Sequence, residues 1–269
     1  MTGMPIWYEL MTPDPDGVRD FYRAVGGWQI AESGSPAGSG HHDYRMIQRS
    51  DGGSLGGVLK LSQDMADHGA RPGWLTYFHV DDVPASVTRL EAAGGKSWMG
   101  PRDIGVGTIA MVADPQGAPF YLMDPVPPAD QPDARSDVWD REKPGHCRWN
   151  ELATTDAPAA KDFYTALLGW KSENSMPMGE RGDYLFVECE GNQIGAINPW
   201  IGENQPPMWL LYLGVDSIAR AVDASKGHGG TVINGPHEVP GGDHVFVATD
   251  PAGAMIAFVG PKGDGMNGW

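Results

Sequence analysis

The fold is decided by the stretch from Trp7 to Trp28, WYELMTPDPDGVRDFYRAVGGW, because the chain contains it twice. Residues 149–170 read WNELATTDAPAAKDFYTALLGW, with Glu-Leu, Asp-Phe-Tyr and Gly-Trp at the same places and a constant offset of 142 residues. Matches at a fixed offset over two whole segments indicate an internal duplication.

The duplication continues through the second half of each copy. Residues 74–81, WLTYFHVD, match residues 209–216, WLLYLGVD, at an offset of 135, so the first copy has seven more residues in its connections. A Pro-rich and charged stretch without helical or strand periodicity separates the copies. The predicted domains are residues 1–125 and 146–262, joined by a linker at 126–145.

In each copy a strand is followed by a helix and then by short strands, and this order occurs twice. Asp14 or Asp16 is predicted to cap the first helix and Asp156 its counterpart, since apolar residues follow at helical spacing. The Asp-Pro-x-Gly sequences at 114–117 and 250–253 predict tight turns between two strands. The predicted class is therefore α+β, with two βαβββ modules in each domain that form a cupped mixed sheet.

Composition excludes several classes of partner. The 35 acidic and 19 basic residues give a net charge of −16, which repels nucleic acid and anionic membranes. The two cysteines are too few for a disulfide scaffold, and neither a signal peptide nor a long apolar run occurs. We expect a cytoplasmic protein without a nucleic-acid or membrane partner.

These motifs resemble the vicinal oxygen chelate superfamily, which includes glyoxalase I, extradiol dioxygenases, and bleomycin and fosfomycin resistance proteins. The resemblance rests on the Asp-x6-Phe-Tyr-x4-Gly-Trp segments at 14–28 and 156–170 and on the two Asp-Pro-x-Gly turns. It spans nearly the whole chain and points to the tandem-domain subgroup. It implies a small-molecule substrate or ligand in a sheet cup, and a monomer or homodimer, since paired modules lie within one chain.

The resemblance also implies where metal ligands would stand, on the first and last strands of each module. None of these positions holds a histidine or a carboxylate; they are Trp7, Leu75, Tyr121, Trp149, Leu210 and Ala257. The last strands of the first modules, near Gly57 and Gly195, offer glycine. No cofactor is therefore predicted. If a divalent metal binds, Glu9 and His79 are its candidate ligands.

Side chains two residues apart share one face of a strand, so the cup contents can be read from these positions. The predicted catalytic residues are Glu9, His79, Tyr77 and Tyr121. The predicted substrate-binding residues are Trp7, Met11, Leu75, Met123, Trp149, Glu151 and Tyr212. A carboxyl group and an imidazole in an apolar cup suit acid and base catalysis, although a packed core in which they satisfy each other is the alternative. Gly214 replaces His79 in the second copy, which favours the first as the catalytic one.

The function expected from these residues is an enzyme that uses acid and base groups on a small carbonyl or aromatic metabolite, of the isomerase, lyase or hydrolase type, without the usual metal. Two alternatives stay open. One is a protein that binds and sequesters a small molecule, as bleomycin resistance proteins do. The other is a metal-dependent glyoxalase or dioxygenase with displaced ligands.

Overall fold

The computed structural model describes residues 2–36, 43–199, 202 and 205–264. Within them the first repeat forms β1 Pro5–Thr12, α1 Arg19–Gly26, β2 Gln29–Ile30, β3 Ser35–Pro36, β4 Asp43–Gln48, β5 Ser54–Lys60, α2 Gln63–Asp67, β6 Gly73–His79, α3 Val83–Ala92, β7 Lys96–Asp103, β8 Gly107–Ala113 and β9 Pro119–Pro125. The second repeat forms β10 Cys147–Ala153, α4 Ala157–Leu168, β11 Ser175–Pro177, a short 3-10 helix Gly179–Arg181, β12 Asp183–Cys189, β13 Asn192–Asn198, β14 Met208–Gly214, α5 Ile218–Gly227, β15 Thr231–Glu238, β16 His244–Thr249 and β17 Met255–Gly260.

The strands of each repeat belong to one mixed sheet. The first sheet has the order β2-β4-β5-β1-β6-β9-β8-β7, with β3 beside β4, and the second has the order β11-β12-β13-β10-β14-β17-β16-β15. In each module the first strand pairs in parallel with the last, as β1 does with β5 and β14 with β17. The α+β class with two βαβββ modules in each repeat is confirmed.

The two long helices that follow β1 and β10 begin differently. Asp156 caps α4 as predicted, because its side chain accepts a hydrogen bond from the Ala159 amide at 3.0 Å. The prediction for α1 was wrong: Val18 is the cap residue and provides no side-chain hydrogen bond. Asp14 instead accepts the Gly17 amide at 3.0 Å, in a turn that precedes the helix.

Contact between Cα atoms divides the chain into two compact units, and each unit contains one module from each repeat. Unit 1 comprises residues 1–6, 75–136 and 149–210, and unit 2 comprises 7–74, 137–148 and 211–269. A repeat is thus a unit of sequence, whereas a compact unit combines halves of two repeats. The domain limits read from the repeat stay a prediction.

The core of unit 2 contains a hydrogen-bonded cluster at the repeated motifs. The Tyr22 hydroxyl is fully buried, donates to Asp250 Oδ2 at 2.9 Å and accepts from Trp74 Nε1 at 3.0 Å. Asp250 Oδ1 accepts the amides of Ala252 and Ala254, which closes the Asp-Pro-x-Gly turn. The Phe-Tyr and Asp-Pro-x-Gly motifs therefore hold the fold together.

Unit 1 repeats this cluster with the corresponding residues. Tyr164 donates to Asp114 Oδ2 at 3.1 Å and accepts from Trp209 Nε1 at 3.1 Å. Around it pack the rings of Phe120 and Trp170, both within 5.5 Å of the Tyr164 ring centre. The two clusters place the same aromatic and acidic residue types at the core of each unit.

Residues 137–148, which include the end of the predicted linker, belong to unit 2. The Arg49 guanidinium is buried and binds Asp51 and Asp137, while Trp28 Nε1 donates to the Gly145 carbonyl at 2.8 Å. Among the described residues, none of the helices has the length and apolar character needed to cross a membrane.

Candidate functional site

The first strand of the chain has two different faces. Tyr8, Leu10 and Thr12 are fully buried, and the first two belong to the core cluster that contains the α1 residues. Because side chains alternate along a strand, Trp7 and Glu9 lie on the opposite face. Glu9 is only 3% exposed, and Trp7 is half-buried. The predicted site residues of β1 are therefore on the face away from the helices.

In unit 2 the side chains on this face form a chain of polar contacts. Trp7 Nε1 donates a hydrogen bond of 2.7 Å to the Tyr44 hydroxyl on β4, and Tyr44 is hydrogen-bonded to Glu9. Burial raises the pKa of Tyr44 far above its ordinary value, and the neighbouring Glu9 charge raises it further. Tyr44 thus keeps its proton and acts as a donor to the carboxylate.

The place of the Tyr44 ring depends on a glycine. Gly57 stands opposite Glu9 in the parallel pair β1–β5. A Cβ atom at Gly57 would overlap the ring and hydroxyl of Tyr44. Glycine at this position therefore lets the tyrosine lie flat on the sheet beside Glu9.

In unit 1 the first module of the second repeat builds the same arrangement. Trp149 Nε1 donates to the Tyr184 hydroxyl at 2.9 Å, and that hydroxyl donates to Glu151 Oε2 at 2.6 Å. Asn198 Nδ2 adds a bond of 3.2 Å to Oε1 of the same carboxylate. In the first repeat the strand position of Asn198 is taken by Leu59. Each glutamate thus has its own tyrosine donor, Tyr44 for Glu9 and Tyr184 for Glu151. The hydrogen bond from the side-chain amide of Asn198 occurs at Glu151 alone, because leucine stands at the matching position beside Glu9.

Unit 1 also contains the second module of the first repeat, where two predicted tyrosines meet. Tyr77 and Tyr121 stand opposite each other on β6 and β9, with ring centres 4.1 Å apart and an angle of 14° between their planes. Leu75 is buried on the same face of β6, and the half-buried Met123 is on the same face of β9. The structure thus brings Tyr77 and Tyr121 together as a stacked pair.

His79 ends the same strand and is nearly buried. Its backbone accepts from the Gly3 amide and donates to the Met4 carbonyl, at 2.8 and 2.9 Å. Nδ1 lies 3.8 Å from Asp81 Oδ1, and it is a buried atom for which the described residues provide no hydrogen-bond partner. Burial lowers the pKa of His79 more than Asp81 raises it. The imidazole is therefore neutral near pH 7 and able to accept a proton.

The remaining predicted residues lie as follows. Met11 is buried on the Glu9 face of β1. Tyr212 is half-buried on β14 in unit 2, opposite Ala257. Glu9 belongs to unit 2 and His79 to unit 1, and their catalytic pairing stays a prediction.

The donor set does not fit the metal centre that the resemblance implied. In each module one residue of the first strand on this face stands opposite one residue of the last strand. The four pairs are Glu9 with Gly57, Tyr77 with Tyr121, Glu151 with Ala196, and Tyr212 with Ala257. The sequence placed the last-strand position of this module near Gly195. Gly195 stands opposite Asn150, however, and the residue opposite Glu151 is Ala196. Across residues 2–36, 43–199, 202 and 205–264, no three His, Cys, Asp or Glu side chains are grouped to hold a metal ion.

Sequence reasoning missed three residues that form hydrogen bonds to the two glutamates: Tyr44, Tyr184 and Asn198. A signal for the tyrosines exists, since Asp43-Tyr44 and Asp183-Tyr184 are the same dipeptide at an offset of 140 residues. Each dipeptide begins the strand β4 or β12. For Asn198 there is no such signal, because its counterpart is apolar.

Comparison with known proteins gives a family match for both repeats. The family model described as the glyoxalase/bleomycin resistance protein/dioxygenase superfamily matches residues 6–122 and 143–258. The chain is 29% identical over 279 aligned positions to the anthracycline biosynthesis protein DnrV of Streptomyces peucetius, covering 96% of this chain and 93% of that protein. The protein DauV of Streptomyces sp. is 28% identical with the same coverage.

Two solved structures show the same fold at low sequence identity. A Mn(II)-bound glyoxalase from Novosphingobium aromaticivorans gives a TM-score of 0.65 at 18% identity, over 96% of this chain and 82% of that one. A mutant 4-hydroxymandelate synthase from Streptomyces coelicolor gives 0.62 at 16% identity, over 98% and 95%.

Proposed function

Because the chain belongs to the glyoxalase/bleomycin resistance protein/dioxygenase superfamily, we propose that it is an enzyme that transfers protons on a small carbonyl or aromatic metabolite. The observation that carries the proposal is the Trp-Tyr-Glu arrangement, which both repeats build from the same strands. A carboxylate held in place by a tyrosine donor on an otherwise apolar face is suited to act as a general base.

Glu9 is the proposed base. Its carboxylate takes a proton from a carbon next to a carbonyl group, and the electron pair left behind forms an enolate. Return of a proton at another atom of the same framework completes an isomerisation, which needs neither an electron donor nor an acceptor. Tyr44 holds the carboxylate in position through its hydroxyl. The catalytic roles of His79, Tyr77 and Tyr121 stay a prediction, because these residues belong to unit 1 and Glu9 to unit 2.

The proposed substrate class is supported by the relatives and by the residues on this face of the sheet. DnrV and DauV are named as anthracycline biosynthesis proteins, so a planar aromatic ketone or quinone of that kind is the proposed substrate. In unit 2 the ring of Trp7 and the apolar Met11 on the Glu9 strand provide contact area for such a molecule, and Tyr212 is a further aromatic residue of this unit. In unit 1 residues of the same kind are Trp149, Leu75 and Met123.

We further propose that the reaction needs no resident metal and takes place in the cytoplasm. The first proposal is supported by the glycine, alanine and tyrosine at the positions where metal ligands were expected. The second is supported by the two cysteines, Cys147 and Cys189, which are buried thiols rather than halves of a disulfide.

Deuterium exchange tests the proposal even when the reaction product is not identified. A panel of aromatic ketones, including anthracycline precursors, is incubated with the protein in heavy water, and deuterium at the carbon next to the carbonyl is measured by mass spectrometry. We expect Glu9→Gln to slow the exchange about a hundredfold or more. Glu91→Gln, a change of the same size at an exposed position of α3, is the matched control. Unchanged exchange in Glu9→Gln would exclude Glu9 as the base.

Sequestration of an aromatic compound is the second candidate function, and the stacked pair Tyr77–Tyr121 favours it because it shows that the sheet face packs flat rings. Tight binding of a compound that is recovered unchanged, with no exchange in any of the ketones, would support sequestration instead. A stoichiometric transition metal in the purified protein would revive the metal-dependent alternative.

A further inference from the structure

Three aromatic side chains stand beside the carboxylate of the second repeat. Phe186 is opposite Ala196, and Ala196 is opposite Glu151, so the phenyl ring belongs to the same row of side chains as the carboxylate. The Phe186 ring meets the rings of Trp149 and Tyr184 edge to face, with ring centres 6.1 and 5.6 Å apart. Because Trp149 and Tyr184 also belong to the Trp-Tyr-Glu arrangement, the three rings and the carboxylate form one group.

Solvent reaches the rings and the carboxylate of this group. Trp149, Tyr184, Phe186 and Glu151 are each half-buried, whereas Glu9 of the first repeat is only 3% exposed. A solute can therefore contact the rings and the carboxylate of the second repeat from the solvent side, without displacing the core.

The hydrogen bonds to the carboxylate leave its charge in place. Two of its donors, the Tyr184 hydroxyl and the Asn198 side-chain amide, are neutral groups at 2.6 and 3.2 Å. They orient the two oxygens of Glu151 without cancelling the negative charge. The net charge of −16 on the whole chain raises the concentration of cations near its surface. The group is therefore suited to a positively charged ligand.

Aromatic faces next to a carboxylate are suited to one class of cation in particular. A cation within about 6 Å of a ring centre is attracted by the electron-rich face of the ring, most strongly by that of tryptophan. The carbon substituents of an organic ammonium ion also pack on the rings, which a hydrated metal ion does not do. The carboxylate adds direct attraction between opposite charges.

The first repeat differs at two of these positions. Met46 stands opposite Gly57, so it occupies the place in the row that Phe186 has in the second repeat. Leu59 stands where the second repeat has Asn198. The carboxylate of the first repeat is thus buried and has one ring fewer beside it. An accessible carboxylate with three rings is a feature of the second repeat.

We propose that the first module of the second repeat binds the ammonium group of an organic amine. The cation lies against the faces of Trp149 and Phe186, and the carboxylate of Glu151 attracts its charge. Asn198 and Tyr184 are positioning residues, because they hold the two carboxylate oxygens. This binding site is separate from the proposed proton transfer, which depends on Glu9.

Choline and its neutral isostere 3,3-dimethylbutan-1-ol are the probes for this site. Binding to the full chain is followed by NMR, through the indole N–H resonance of Trp149, which is assigned by its absence in Trp149→Phe. We expect a saturable shift with choline and a Kd at least about tenfold lower than that of the alcohol, because the two molecules differ in charge and not in shape.

The variants separate the carboxylate from the rings. Glu151→Gln is expected to raise the Kd of choline about fivefold, and Glu91→Gln, the same change at an exposed position of α3, to leave it within about twofold. Phe186→Leu is expected to raise the Kd about threefold, whereas Phe186→Tyr keeps the ring and serves as its control. Phe186→Leu also covers the case in which Glu151→Gln does not fold.

Three results would overturn the inference. These are the absence of saturable binding of choline, equal affinity for choline and the alcohol, and a Kd that Glu91→Gln changes as much as Glu151→Gln does, which would show attraction to the acidic surface in general. The proposed function is read separately, from deuterium exchange in Glu9→Gln. Exchange that depends on Glu9 without choline binding would refute the ammonium site alone, and choline binding without exchange would refute proton transfer alone.

Discussion

Replacing Tyr22 by phenylalanine tests whether the buried cluster of unit 2 holds the fold together. The change removes one oxygen atom from a fully buried ring and leaves its shape intact. That oxygen donates to Asp250 at 2.9 Å and accepts from Trp74 at 3.0 Å, so both partners lose a bond. The expected effect is therefore on the free energy of unfolding and not on packing.

The magnitude can be worked from the two lost bonds. A hydrogen bond to a charged acceptor contributes about 1.5–3 kcal/mol, and an unsatisfied buried donor such as Trp74 Nε1 costs about 1–3 kcal/mol. Because the bonds share one hydroxyl and are not additive, we expect a loss of about 3 kcal/mol near neutral pH. For a chain of this length that corresponds to a fall in Tm of roughly 10 °C.

The loss of unfolding free energy in Tyr22→Phe is expected to depend on pH in a defined direction. Burial raises the pKa of Asp250, while the Ala254 amide and then Tyr22 lower it. A carboxyl group whose native pKa is raised stabilises the fold below its unfolded pKa, and this contribution is lost as pH rises through the native pKa. Without the Tyr22 hydroxyl the native pKa rises further, so the loss in Tyr22→Phe is larger at about pH 7 than at about pH 4.5.

Denaturant unfolding of the wild type, Tyr22→Phe, Asp250→Asn and the double variant, at both pH values, provides the measurement. The double-mutant cycle isolates the energy of the Tyr22–Asp250 contact. Tyr164→Phe is the matched change in unit 1, where Asp114 takes the place of Asp250. A loss of unfolding free energy below about 1 kcal/mol, or a loss that is equal at both pH values, would refute the view that this cluster stabilises the fold.

Two further predictions concern the candidate site. Gly57→Ala is expected to displace the Tyr44 ring and to slow deuterium exchange by the folded protein at least about tenfold, since the new methyl group overlaps that ring beside Glu9; unaltered exchange would show that Tyr44 does not position the carboxylate. Asp81→Asn is expected to lower the pKa of His79 further below its ordinary value, because the Asp81 charge is the largest influence that raises it; an NMR titration of the imidazole that gives an equal or higher pKa in the variant would contradict this.

The sequence predicted the fold because a duplication is visible in the order of residue types alone. The constant offset between the two Trp-to-Trp segments revealed the repeat, and the spacing of apolar residues placed the strands and helices. The same reasoning failed at the start of α1, where two aspartates were available as caps and neither was used. Asp14 instead accepts a hydrogen bond from the Gly17 amide, and this contact depends on the geometry of the turn.

The sequence also identified residues on the face of the sheets away from the helices, because alternation along a strand is a local property. It did not reveal Tyr44, Tyr184 or Asn198 as partners of the glutamates, since these contacts join strands that are adjacent only after the sheet has formed.

What the sequence by itself determined is the duplicated architecture and the residue types at the positions where the resemblance implied metal ligands, since both depend only on residue type and spacing. The tertiary structure decided which side chains become partners. Strand register brought Tyr77 against Tyr121 and Tyr212 against Ala257. Packing between helices and core side chains combined one module of each repeat into each compact unit. Register and packing are set by contacts between residues far apart in the chain, and those contacts exist only in the folded molecule.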